Sequence, residues 1–160
     1  MLTPAQLVTL KANILASPDL AAQPNNDDGH FEIAKLYNVA DVAFIVWRTS
    51  VSLTAVGRAF NGAELAAKSQ ADQTRLIALA HYLVEGVNPS LADNRAFFDD
   101  VFSGTSGALT RTALLALWKR LSTRAEKLFA VGTGTNLAPA TMAFEGLVTP
   151  GEVAAARALP

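Results

Sequence analysis

There is no cysteine among these 160 residues. That absence excludes disulfides, thiol catalysis and cysteine-ligated zinc, and it leaves the redox compartment open. Histidine is nearly as scarce: His30 and His81 are the only two, and neither stands in a His-x-x-x-His or His-Glu context. A metal site would therefore need distant partners. Charged residues make up only 17%, with a formal net charge of −1, which offers no general attraction to nucleic acid or to an anionic membrane. No apolar run is long enough to span a bilayer. The opening "MLTPAQLVTLKANILASPDL" also lacks the basic start and continuous apolar stretch of a signal peptide. The expectation is a protein made and kept in aqueous solution, with no membrane partner.

What is present is apolar: 51% of the residues are hydrophobic, led by Ala, Leu and Val. This excludes disorder for most of the length, and 160 residues suffice to bury a real core in one domain. A mainly α protein is the first reading. Thr3, Pro4 and Gln6 form a helix start of the box type, followed by an apolar stripe of Leu7, Leu10, Ile14 and Leu15. A short helix is expected after Gly29, in "HFEIAKLYN". The segment "VADVAFIVWRTSV" reads equally as buried helix or strand, since periodicity does not separate the two.

From residue 72 onward the helical period sharpens. In "DQTRLIALAHYLVEG", Leu76, Ile77, Ala80, Leu83 and Val84 share one face, and Gly86 supplies the stop. The next helix, in "NPSLADNRAFFDDVFSG", aligns Leu91, Phe98 and Phe102. The longest is expected over about 107–129, where Leu114, Leu117, Trp118, Leu121, Ala125 and Leu128 make an apolar arc opposite Lys119, Arg120, Arg124 and Lys127. Three consecutive amphipathic helices with short links read as an antiparallel helical bundle over residues 1–130. Residues 131–160 then read as an extension: a loop, an extended β arm in "TMAFEGLV", and a short terminal helix opened by Thr149, Pro150 and Glu152. Met142, Phe144 and Val148 alternate along that arm and are expected to anchor it in a neighbouring subunit.

Several stretches resemble functional motifs without meeting their requirements. "GTGT", Gly132 to Thr135, follows a helix and precedes an extended segment, whereas a phosphate loop needs a lysine and Ser/Thr leading into a helix. It reads as punctuation. "PNNDDG" has Lys35 where a calcium loop needs glutamate, and reads as a turn. Adjacent Asp99 and Asp100 point about a hundred degrees apart on a helix and form no dyad. No nucleophile, base and orienter assemble, so neither an enzyme nor a cofactor is expected. Arg120, Arg124 and Lys127 lie near one line down the long helix, with Lys119 alongside, and such a stripe meets phosphate or an acidic partner when it is not simply solvated.

The run "VNPSLADNRAFFDDVFSG…RTALLALWKRLSTRAEKLFAVGTGTNLAPATMAFEG" resembles a family of small structural proteins of tailed bacteriophages, and "NNDDG" and "VWRTSV" fit the same family. The resemblance covers roughly residues 2–150. The middle, "LTAVGRAFNGAELAAKSQADQ", departs from the pattern. A virion component is what the resemblance implies, assembled in the host cytoplasm. A head–tail connector (adaptor) subunit leads, forming a homo-oligomeric ring of about twelve copies. Its expected partners are the portal and the tail or neck proteins, with non-specific contact to packaged DNA. A capsid-decorating or minor tail protein is the alternative.

Overall fold

The computed structural model describes residues 1–82 and 85–160. In chain order the elements are α1 (Pro4–Ala16), α2 (Pro18–Ala21), α3 (Asp27–Tyr37), β1 (Ala40–Trp47), α4 (Leu53–Ala59), α5 (Gly62–Ala66), α6 (Gln70–Tyr82) and α7 (Ala92–Val101). A 3-10 turn (Thr105–Gly107) leads into α8 (Ala108–Leu117), β2 (Lys119–Thr123), α9 (Arg124–Phe129), β3 (Ala130–Val131), β4 (Thr141–Met142) and α10 (Pro150–Ala158). The expectation of an antiparallel helical bundle is corrected: the fold is mixed, 57% helix and 13% strand, with two small antiparallel sheets, β1–β2 and β3–β4. Helices still dominate. Leu83 and Val84, assigned above to an apolar helical face, lie outside the described residues.

The chain divides into two compact units. Unit 1 comprises residues 1–46 and 121–160, and unit 2 comprises residues 47–120. This division runs elsewhere than the expected one at residue 130.

Unit 1 is organised by helix starts. Thr3 and Gln6 exchange hydrogen bonds as expected: the Thr3 amide donates to Gln6 Oε1 (2.9 Å) and the Gln6 amide to Thr3 Oγ1 (3.3 Å). Thr149 and Glu152 do the same for α10 (2.9 and 3.2 Å). These boxes satisfy amides that a helix N-terminus would otherwise leave unpaired. Leu10 and Ile14 of α1, Ile33 and Tyr37 of α3, Phe129 of α9, and Val153 and Ala156 of α10 form one buried cluster. Leu15, placed with the apolar stripe of α1, is exposed instead. The ambiguous segment after Asn38 resolves as strand β1.

The extended arm is the second correction. Ala130 pairs with Met142 and Val131 with Thr141, so the expected strand finds its partner within the same chain. The paired part of the expected arm, Thr141 and Met142, thus meets β3 rather than a neighbouring subunit. Val148 is 1% exposed in the unit 1 cluster, and Phe144 packs edge-on against Phe129 at 5.6 Å. Asn38 fixes this segment through both ends of its amide: Nδ2 donates to the Val148 carbonyl, and the Val148 amide donates to Oδ1, each at 2.9 Å. Ala140 and Val148 are buried in their own unit, and Phe144 packs against its core.

The third correction concerns the long helix. It breaks at Trp118: α8 ends at Leu117, residues 119–123 are strand, and α9 starts afresh. The restart has a sequence cause. Thr123 and Glu126 form another box, with the Thr123 amide on Glu126 Oε2 (2.9 Å) and the Glu126 amide on Thr123 Oγ1 (3.1 Å).

Unit 2 packs around aromatic rings. Phe98 and Trp118 meet at 5.5 Å with planes at 62°, Phe60 lies 5.0 Å from Phe102, and Phe97 stands edge-on to Phe98 at 5.3 Å. Val51, Val56, Val87 and Leu114 complete the cluster. Val51 and Val87 exchange two backbone hydrogen bonds at 2.8 Å. On α6, Leu76 and Leu79 face this core, whereas Ile77 is 60% exposed. The apolar face expected of that helix is therefore split between interior and surface.

Candidate functional site

The break at Trp118 disperses the basic line. Lys119 and Arg120 stand on β2 within unit 2, while Arg124 and Lys127 stand on α9 within unit 1. No single helical face carries the four. Lys119 lies over the Trp47 ring (5.7 Å), a ring that Arg95 also covers at 4.2 Å.

Arg124 and Lys127 do share a surface. They line an open groove of about 690 Å³ in unit 1, together with Asn13, Leu36, Val39 and Asp41. Arg124 grips Asp19 with two nitrogens (Nη1 to Oδ2 2.6 Å, Nη2 to Oδ1 3.4 Å) and lies over the Tyr37 ring at 5.5 Å. Lys127 donates to Asp41 Oδ2 (2.8 Å) and lies 5.4 Å from the centre of the Phe44 ring. Tyr37 is buried and donates to Asn13 Oδ1 at 2.7 Å, and burial raises its phenol above the usual range. Each cation thus faces a carboxylate. The groove offers hydrogen-bonding groups and aromatic faces, and its cations are already compensated.

That pairing has a measurable pH signature. The Arg124 hydrogen bond holds the Asp19 carboxyl below its ordinary value, and the Lys127 hydrogen bond does the same for Asp41. Asp41 also accepts the amides of Ala43 (2.9 Å) and Phe44 (3.1 Å). A depressed folded value means that the unfolded chain binds more protons as pH falls. The contribution is complete above the unfolded aspartate value of about 3.9 and is lost as pH drops through the folded values. Urea midpoints should therefore decline from about pH 5 towards pH 3, more shallowly in Asp19→Asn/Asp41→Asn than in the native chain. An unchanged slope in the double variant would contradict the ion pairs.

The "GTGT" stretch forms a pinned loop. The Ile45 amide donates to the Gly134 carbonyl (2.7 Å), and the Ala140 amide donates to the Ile45 carbonyl (2.9 Å). Thr133 Oγ1 donates to the Ala138 carbonyl (3.1 Å), and the Ala138 amide donates to Thr135 Oγ1 (3.0 Å). Gly132 follows strand β3 rather than a helix, because α9 already ends at Phe129. At the tip, Leu137 is 96% exposed. No amide cradle at a helix start is formed here, in keeping with the reading as punctuation.

In unit 2 a second, apolar groove of about 440 Å³ runs between α5 and α6, lined by Phe60, Leu65, Leu76, Ile77 and Ala80, with Gln73 its main polar contributor. No motif in the sequence marks this groove. Its only signal was the excess of apolar residues on α6 over what one buried stripe requires.

His30 is buried, with Nε2 2.9 Å from Asn25 Oδ1, and Asn26 caps α3 through the Gly29 amide (3.0 Å). "PNNDDG" is accordingly a turn and cap. His81 is exposed. Among the described residues, no three His, Asp or Glu side chains are grouped to hold a metal ion, and no helix is long and apolar enough to cross a membrane.

No family model, no curated protein and no solved structure matches the chain.

Proposed function

We propose that the protein is a structural component of a tailed-phage virion, and within it a head–tail connector subunit that acts by assembly rather than catalysis. The observation that carries this reading is the resemblance across residues 87–146, extended by "NNDDG" and "VWRTSV". The surface supports a role in assembly. Large apolar side chains stand well exposed on both units: Val42 at 88% and Leu137 at 96% in unit 1, and Ile77 at 60% beside the groove of unit 2. Apolar surface grouped around a groove is a mark of protein–protein contact.

The mechanism differs from the one first expected. With residues 140–148 folded into unit 1, neighbours meet through preformed surfaces and not through an exchanged strand. Such contacts require little ordering on association, which favours assembly of folded subunits. Portal, tail or neck proteins remain the proposed partners, and the proposed location is the virion, assembled in the host cytoplasm.

Copy number tests the reading. Quantitative mass spectrometry of purified particles should find about twelve copies per virion, the stoichiometry of a closed ring matched to a portal. Hundreds of copies would indicate capsid decoration instead, and absence from particles would overturn the virion reading.

A further inference from the structure

We draw no further inference here: the strongest candidate, the uncharged outer face of α1 on which Ala5, Val8, Ala12 and Leu15 stand exposed, is an unpartnered apolar helix face, and nothing in the structure shows what covers it.

Discussion

Trp118→Ala should destabilise unit 2 by about 3–5 kcal/mol, the cost of deleting a large aromatic from a packed interior. The residue is 1% exposed and meets Phe98 edge-on at 5.5 Å. Its carbonyl accepts from the Arg48 amide at 2.8 Å, a backbone bond that alanine retains, so the loss isolates the side chain. Trp118→Phe separates two contributions. Phenylalanine keeps a ring against Phe98 and removes an indole N–H for which no acceptor is found among the described residues. A buried unpaired donor costs about 1–3 kcal/mol, so its removal offsets part of the lost area. Urea unfolding followed by circular dichroism should rank native, Phe and Ala in that order of stability, with the Phe variant closer to native. An alanine variant with the native midpoint would mean that Trp118 does not sit in the core.

Gly134→Ala should cost unit 1 roughly 2–5 kcal/mol, through two additive causes. Gly134 has φ +66°, and the left-handed region costs an L-residue about 1–2 kcal/mol. A Cβ placed there would also lie 2.3 Å from carbons of the Phe44 ring, and overpacking of that kind costs about 1–3 kcal/mol. Phe44 cannot give way without cost, since Lys127 lies over its ring while pairing with Asp41. The Phe44→Ala background provides the internal control: with the ring removed, Gly134→Ala should show the backbone penalty alone. A loss as large in that background as in the native chain would remove the Phe44 contact from the account.

What could be read from the sequence was local. Thr3 with Gln6 and Thr149 with Glu152 announced their helices, because a capping box is complete within four residues. Thr123 with Glu126 carries the same signal and was overridden by an apolar period that continues through Leu121, Ala125 and Leu128. That period was misleading at Leu121, which is 45% exposed on β2. Once the helix is cut there, the basic line no longer exists as a face. The bundle failed for a different reason. It assumed that helices adjacent in sequence pack together, whereas α10 packs on α1 and α3. Nothing in "TMAFEGLV" shows that Asn38 will hold Val148, and alternation is the same whether a strand faces its own core or a neighbour's. The grooves are likewise built from separate segments: Asn13, Val39 and Arg124 converge in one, Phe60 and Ile77 in the other.

The division of unit 1 between residues 1–46 and 121–160 makes unit 2 an insertion, and this sets an order of events during synthesis. All of unit 2 has been made once residue 120 leaves the ribosome, so its aromatic cluster can close early. Leu10, Ile14 and Ile33 must wait for Phe129, Val148 and Val153, more than ninety residues later, and contacts of such separation form slowly. Until then the apolar stripes of α1 and α3 are uncovered. A nascent chain halted before about residue 150 is therefore the form most exposed to aggregation and to chaperone capture.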